Sequence, residues 1–325
     1  MKNIAIIGGS GFIGTRLIEE LGKETRYTVG NFDKQTSEKY PALTTILNVT
    51  NESEIEKQLR RCDCVVLLAA EHRDDVSPVK LYYDVNVQGT KNVLGAMDKN
   101  GINTIIFTSS VAVYGLNKPC PDENSEIDPF NHYGKSKFEA EEALREWYNK
   151  DTAKRTLIIL RPTVVFGPNN KGNVYNLLKQ IVNGNFLMIG KGENKKSMSF
   201  INNIAGFIKF VVDNNYSGYH LYNYADKPDL TTNELLKAVE ESLQKKLPSV
   251  RIPYPIGYTA GVAFDIMAKI TGKKFAISSV RVKKFCSTTE FSSAKLLSTG
   301  YKPSLSLQEG INITVKSIVE ANKTH

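Results

Sequence analysis

The sequence predicts an α/β fold: a doubly wound parallel sheet with a smaller, mostly helical C-terminal lobe. Three observations carry that reading. Short apolar runs alternate with helix-period stretches through the first half of the chain. The first of those runs ends in a glycine-rich turn that opens a helix. The regular alternation stops at Gly167, and the remainder reads as helices joined by short loop-like pieces. With 325 residues there is room for two unequal domains, expected at 1–166 and 167–325, with some of the later chain returning to the first.

Residues 3–7 hold the continuous apolar run Ile4-Ala5-Ile6-Ile7, a buried strand. Gly8, Gly9, Ser10 and Gly11 turn the chain. Residues 12–21 restart it as a helix with Ile13, Leu17 and Leu21 on one stripe. In that setting the spacing Gly8-x-x-Gly11-x-x-Gly14 has a physical meaning. Gly8 makes the tight turn, Gly11 lets a pyrophosphate approach the backbone, and Gly14 lets the helix pack on the strand. The helix amino end, at Phe12 and Ile13, offers its N–H groups to phosphates. A Rossmann-type dinucleotide domain is the expectation. The second strand, 27–32, ends at Asp33, about 20 residues past the turn, where a ribose diol is held. A carboxylate there repels a 2′-phosphate and favours NAD, while the adjacent Lys34 leaves NADP open.

A third strand is expected at 43–47, a helix at 51–61, and an all-apolar fourth strand at 65–68 ending in Ala69-Ala70. Those small residues let a flat ligand lie against the backbone. The polar run Glu71-His72-Arg73-Asp74-Asp75 follows at the same carboxyl edge, where open α/β sheets bind ligands. It reads either as a solvated loop or, through His72, as a wall of the substrate cleft. Then come a long helix at 79–97 with Asn86 near its middle and a fifth strand at 104–108 leading into Ser109-Ser110. A helix at 133–148 and a sixth strand at 156–160, running into Arg161-Pro162, complete the domain. Beyond Gly167, residues 173–182, 204–212, 235–243, 258–270, 292–297 and 307–320 read as helices.

Composition is that of an ordinary globular protein, 41% hydrophobic and 23% charged. The net charge of +8 suits an anionic ligand. The basic residues, however, are scattered pairs (Lys195-Lys196, Lys245-Lys246, Lys273-Lys274, Lys283-Lys284) rather than a stripe, so no nucleic-acid partner is expected. Cys62, Cys64, Cys120 and Cys286 have neither metal-ligand spacing nor a disulfide framework, which points to a reducing compartment. Cys62 and Cys64 read as small core residues on one face of the incoming strand. A strand beginning at residue 3 leaves no room for a signal peptide, so the expected location is cytoplasmic. The longest apolar stretch, 254–270, is broken by Asp265 and Lys269 and is too polar for a transmembrane span. It reads as an amphipathic helix, with shallow membrane contact as the lesser alternative.

The chemistry is carried by Tyr133-Gly-Lys-Ser-Lys137. A phenol and an ammonium four residues apart share one helix face, about 6 Å apart at Cβ. A tyrosine has an ordinary pKa of about 10, and bringing it near 7 takes about 4 kcal/mol. One cation at about 4 Å supplies up to that much at an effective dielectric near 20. Lys137 provides part, and an oxidised nicotinamide ring, itself a cation, provides more. Ser110, at the end of a parallel strand, can hydrogen-bond the substrate oxygen and share its proton. The set serves a hydroxyl that loses a proton as a hydride leaves its carbon.

With GGSGFIG (8–14), LLAA (67–70), NVQGTKNV (86–93), FTSSVAVYG (107–115), YGKSK (133–137) and LRPTVVFGP (160–168), the chain resembles the extended short-chain dehydrogenase/reductases, the NAD-dependent nucleotide-sugar epimerases and dehydratases. The resemblance implies that Ser110, Tyr133 and Lys137 are catalytic and that Ser110 and Tyr133 contact the substrate. It also implies that Tyr133, Lys137, Asn86, Val49, Leu68 and Pro162 line the cofactor, and that the adenine-side acid is replaced by Asn48. Dehydratases of this family carry an acidic pair where this chain has Val111-Ala112, so dehydration is not expected. Sugar 4-epimerases carry Asn and Arg where Val164 and Met198 align, groups that hold the nucleotide diphosphate. Lys195, Lys196 or Arg281 would take over that charge, and Asn173 aligns with a nucleotide contact. Residues 161–178 and 278–297 are similar to a subgroup from surface-polysaccharide gene clusters that works at C4 of UDP-linked sugars. The implied activity is a UDP-sugar 4-epimerase acting through a transient 4-keto sugar. Alternatives are a 4-keto reductase for a UDP-6-deoxyhexosamine, for which Val164 and Met198 speak, and a non-catalytic NAD-sensing scaffold. A homodimer is expected, pairing the helices at 79–97 and 133–148.

Overall fold

A computed structural model of the chain describes residues 1–73, 76–116, 118–248, 250–272 and 278–323. The elements run β1 (Lys2–Ile7), α1 (Phe12–Leu21), β2 (Tyr27–Asp33), β3 (Thr44–Ile46), α2 (Glu52–Gln58) and β4 (Cys64–Leu67). Next are α3 (Lys80–Tyr83), α4 (Gly89–Asn100), β5 (Thr104–Thr108), α5 (His132–Asn149), β6 (Thr156–Pro162) and β7 (Val164–Phe166). Then follow α6 (Asn173–Val182), β8 (Met188–Ile189), β9 (Lys195–Phe200), α7 (Ile201–Asp213), β10 (Gly218–Tyr224) and β11 (Asp226–Thr231). The chain closes with α8 (Thr232–Leu243), β12 (Arg251–Ile252), α9 (Tyr254–Thr271), α10 (Ser279–Cys286), α11 (Ala294–Leu297) and α12 (Leu307–Lys323). By internal contact the chain divides into two compact units. The first comprises Met1–Thr163, Ser199–Ala225 and Phe291–Ser304, and the second Val164–Met198, Asp226–Glu290 and Leu305–His325.

The first unit is built on a seven-stranded sheet in the order β10-β6-β5-β4-β1-β2-β3, every neighbour pair parallel. Parallel strands covered on both faces carry apolar side chains at every position. So it is here: Ile4 to Ile7, Cys64 to Leu67, Ile105 to Phe107 and Leu157 to Leu160 are all buried. β10 falls among the pieces between helices that the sequence pattern predicts to be loop-like. Its residues Tyr219-His-Leu-Tyr-Asn223 mix aromatic and polar types, and only its second half is buried, as befits an edge strand laid on β6. The expected helix at 51–61 stops at Gln58, and Arg61, at φ 67°, turns the chain toward β4. Cys62 lies half-buried before that strand, whereas Cys64 is fully buried within it. The expected helix at 79–97 forms from Lys80 to Asn100, but residues Asp84–Gln88 within it adopt a wider π turn.

Among the described residues the second unit carries the longer helices α6, α8, α9, α10 and α12, together with strands the sequence did not announce. β7, β9 and β11 form a three-stranded sheet in the order β11-β9-β7, and β8 pairs with β12. β9 reads Lys-Lys-Ser-Met-Ser-Phe and β11 Asp-Lys-Pro-Asp-Leu-Thr. Neither has an apolar run, so their extended state is set by pairing rather than by local pattern. Among the described residues no helix is long and apolar enough to cross a membrane.

Candidate active site

The strand order reverses between β1 and β4, and the crevice outside their carboxyl ends is where such sheets bind ligands. Gly8 has φ 90°, and a Cβ on it would stand 2.4 Å from the Ala69 backbone nitrogen. A Cβ on Gly14 would stand 2.4 Å from Gly9 Cα, so helix and turn touch through hydrogens alone. Leu68 N and Ala69 N both donate to Ile7 O, at 2.8 and 2.9 Å, which binds the β4 exit to the glycine turn. α1 opens behind Gly11 with no side chain capping it, leaving its amino end to a ligand. Asp33 Oδ2 accepts from Ser10 N at 3.0 Å and its Oδ1 from Gln35 N at 3.0 Å, which holds the carboxylate beside the turn. A glycine turn with no room for side chains, an uncapped helix end and a carboxylate pinned next to them fit the pyrophosphate and diol of NAD. Asn48 is exposed and bonds Thr50 N, while Val49 is buried with its carbonyl accepting from Asn92. Pro162 lies buried at the end of β6.

Ser110 follows β5 and caps a single 3-10 turn, Val111–Tyr114, its Oγ accepting from Ala112 N at 3.1 Å. That use of the oxygen leaves the hydroxyl hydrogen for a substrate oxygen. α5 starts where Asn131 Oδ1 accepts from Gly134 N at 2.8 Å, so Tyr133 falls in the first turn of the helix. A Cβ on Gly134 would stand 2.6 Å from Ala112 O, so this first turn presses directly on the turn that Ser110 caps. Lys137 is 2% exposed and its Nζ sits 4.4 Å from the Phe107 ring centroid, over the end of β5. The fold thus brings the three predicted catalytic residues to one edge: a β5 exit, a 3-10 turn and the start of α5.

The structure adds partners that sequence reading missed. Asn86, expected at the cofactor, sits in the π turn, 1% exposed, with both ends of its amide engaged. Its Oδ1 accepts from Glu71 N, and its Nδ2 donates to Glu71 O and to Ser136 Oγ, at 2.8, 3.0 and 2.9 Å. Ser136 Oγ also donates to Tyr133 O. Asn86 therefore ties the loop after β4 to the turn that carries the tyrosine. π turns of this kind gather at functional sites. Of the polar run after β4, Glu71 is buried and paired with Arg73, and His72 is exposed. Asp74 and Asp75 lie outside the described residues, as do Lys273 and Lys274. Behind the catalytic group lies a buried network. Glu141 takes Nε and Nη2 of Arg161 at 2.9 and 2.6 Å and the Ser109 hydroxyl at 2.5 Å. Arg161 also donates to Tyr114 Oη, which donates to Asn223. Burial works against the Arg161 charge, and Glu141 outweighs it, holding the guanidinium above its ordinary range. The signal was available, since Tyr133, Lys137 and Glu141 recur at i, i+4 and i+8 on one helix stripe.

Burial pushes the Lys137 ammonium down to about 7, an effect that Glu141 partly offsets. Unfolded lysine keeps its proton to about pH 10.4. Above about pH 7 the unfolded state then binds more protons than the folded one, and stability rises with pH. Protein stripped of dinucleotide is expected to gain up to about 1.4 kcal/mol per pH unit from this group between pH 7 and 9. Lys137→Met lacks that slope. Urea unfolding of both proteins across that range is the measurement, and equal slopes remove the assignment.

The remaining predicted substrate residues belong to the second unit. Asn173 is exposed as the first residue of α6. Lys196 Nζ is taken up by the carbonyls of Lys284 (2.8 Å) and Ser287 and by Thr289 Oγ1 (3.1 Å), and burial pushes it down to about 8. The expected phosphate cation is thus committed to the end of α10, and a phosphate would have to displace those carbonyls. Lys195 pairs with Glu290 at 3.6 Å, and Arg281 lies exposed on α10. Met198 is 2% exposed, so no charge is offered there. Among the described residues no group of three or more His, Cys, Asp or Glu is placed to hold a metal ion.

A doubly wound parallel sheet with a dinucleotide turn at its switch point and a Ser–Tyr–Lys set at the same edge defines a dinucleotide-dependent enzyme of hydroxyl–ketone chemistry. Residues 4–225 match the NAD dependent epimerase/dehydratase family, and the chain belongs to it. Over 322 residues, 99% of this chain and 97% of the relative, it is 57% identical to the N-acetyl-alpha-D-glucosaminyl-diphospho-ditrans,octacis-undecaprenol 4-epimerase of Escherichia coli O157:H7. It is 30% identical to the UDP-glucose 4-epimerase of Vibrio cholerae over 331 residues, 99% of this chain and 97% of the relative. Among solved structures, UDP-glucuronic acid 4-epimerase from Bacillus cereus in complex with NAD superposes with a TM-score of 0.76. That likeness spans 98% of this chain and 99% of the other at 18% identity, and it bears on the fold alone. Both relatives are 4-epimerases, which speaks for that reading over the reductase and the scaffold.

Proposed function

We propose that the protein is an NAD-dependent 4-epimerase of a diphosphate-linked hexose, and that the sugar is an N-acetylhexosamine carried on a polyprenyl diphosphate. The observation that carries the reading is the likeness, at 57% identity over nearly the whole chain, to an epimerase named for an undecaprenol diphosphate substrate. A second observation supports it. Where the resemblance to UDP-sugar epimerases expects an arginine for the nucleotide diphosphate, this chain buries Met198. A UDP-sugar is the second reading, favoured by the Vibrio cholerae relative.

NAD, when bound, supplies a hydride acceptor that gives the same hydride back. The residues of the chain handle the proton. Ser110 donates a hydrogen bond to the C4 oxygen while Tyr133 Oη, as phenolate, takes the C4 hydroxyl proton. The Lys137 ammonium and the amino end of α5 favour that phenolate. After the 4-keto sugar turns over, Tyr133 returns the proton to the alcohol formed on the other face, so no net oxidation remains. The test is incubation of purified protein, without added cofactor, with polyprenyl-diphospho-N-acetylglucosamine and, separately, with UDP-N-acetylglucosamine. The C4 epimer should form from the lipid-linked sugar with no net change in reduced nicotinamide. A 4-keto product accumulating with an equivalent of NADH would sink the epimerase reading, and turnover confined to the UDP-sugar would sink the lipid carrier.

We further propose a cytoplasmic homodimer in which the helical stretch Lys80–Asn100 and α5 pair with their copies. The two stretches pack side by side within one protomer. A monomer in sedimentation velocity at micromolar concentration would contradict this.

A further inference from the structure

α9 is an 18-residue helix seated by a narrow seam. Gly257 and Gly261 are its buried residues. A Cβ on the first would stand 2.6 Å from Ile189 Cγ2, and one on the second 2.7 Å from Ser279 N. Phe264, Asp265 and Ala268 continue the seam, and Asp265 Oδ2 accepts from Ser279 N and Oγ at 3.1 and 2.5 Å. The opposite side of the helix is where a surface helix places its charges. Here it carries Ile256, Val262, Ile266, Met267 and Ile270, exposed by 59, 37, 54, 46 and 78%. The expectation of an ordinary amphipathic helix is therefore corrected. The seam holds glycines and the one carboxylate, and the apolar face looks outward.

Three features indicate what covers that face. The helix is about 27 Å long, and no described helix is apolar enough to cross a bilayer, so α9 can lie on a membrane but not span it. Tyr254 and Tyr258, with ring centroids 5.8 Å apart, sit at its amino end, and tyrosine is the residue type that favours a membrane–water boundary. The rim is basic. α9 and α10 together carry Lys269, Arg281, Lys283 and Lys284 against the single carboxylate of Asp265. A second copy pairing through this face would set cations against cations, whereas an anionic surface complements them.

We propose that the outer face of α9, with the basic residues of α10, docks the protein on the surface of a bilayer containing anionic phospholipid. The inference stands on α9 and α10 alone and is independent of which sugar is turned over. The full-length protein is floated with vesicles of one part phosphatidylglycerol to three parts phosphatidylethanolamine, and with vesicles of phosphatidylcholine alone. Wild type should float with the anionic vesicles and largely stay behind with phosphatidylcholine. The Ile266→Glu/Ile270→Glu variant should lose vesicle partitioning by about tenfold or more and keep wild-type turnover of a diphosphate sugar on a short, water-soluble prenyl chain. Wild type that does not float, or a variant that floats equally well, overturns the proposal. A soluble wild-type dimer that the variant splits into monomers assigns the face to a second copy and overturns it as well. Absence of turnover on the short-chain sugar counts against the epimerase reading and leaves the vesicle result standing.

Discussion

Tyr133→Phe is expected to lower turnover by about three orders of magnitude, the range general acid–base groups contribute, with the fold and bound dinucleotide retained. The substitution removes one oxygen from a half-buried side chain in the first turn of α5. What it removes chemically is the group proposed to carry the C4 hydroxyl proton. In the proposed mechanism the phenol would be made competent by three positive influences, the helix amino end, the Lys137 ammonium and the nicotinamide ring of bound NAD. Lys137 is itself buried and driven toward neutrality, and the Phe107 ring face beneath it favours its charged form. Single-turnover assays, with co-purifying dinucleotide measured by mass spectrometry and a melting curve as controls, give the answer. A phenylalanine variant retaining more than about a tenth of wild-type turnover, well above the loss general acid–base groups cause, would take Tyr133 out of the chemistry.

Glu141→Ala should cost about 3–5 kcal/mol of stability, the range for stranding one partner of a buried ion pair. The melting temperature should fall by about 10 °C. Glu141 and Arg161 are 0 and 2% exposed at their side chains. Without the carboxylate, the guanidinium keeps its hydrogen bond to Tyr114 Oη but no counter-charge, and the Ser109 hydroxyl loses its acceptor. Ser109 adjoins Ser110, so turnover should fall as well, through a displaced hydroxyl rather than a lost one. The double replacement Glu141→Leu/Arg161→Met is the control, because an apolar pair of similar volume is often close to neutral where a lone charge is not. It should recover more than half of the lost stability. If the single variant melts within a degree or two of wild type, the buried pair contributes little.

The features legible in the sequence share one property: each is local. The run Ile4–Ile7, the glycines at 8, 11 and 14, and the carboxylate at 33 fall within one βαβ unit, where sequence separation alone sets their distance. Tyr133 and Lys137 share a helix face because the helix period dictates it. The parallel sheet followed from strands apolar at every position, a pattern only two-sided burial explains.

By itself, then, the chain determined a dinucleotide turn, a buried parallel sheet and a Tyr–Lys pair, and with them NAD-dependent chemistry at a hydroxyl. Tertiary structure alone decided that Asn86 latches Glu71 to Ser136 across separations of 15 and 50 residues. It also decided that Arg161 neutralises Glu141, that Lys196 closes on the end of α10, and that α9 turns its isoleucines outward. In each of these, one partner arrives from a distant segment. The energy of a buried polar group or an apolar face depends on what stands opposite it, which no local pattern records.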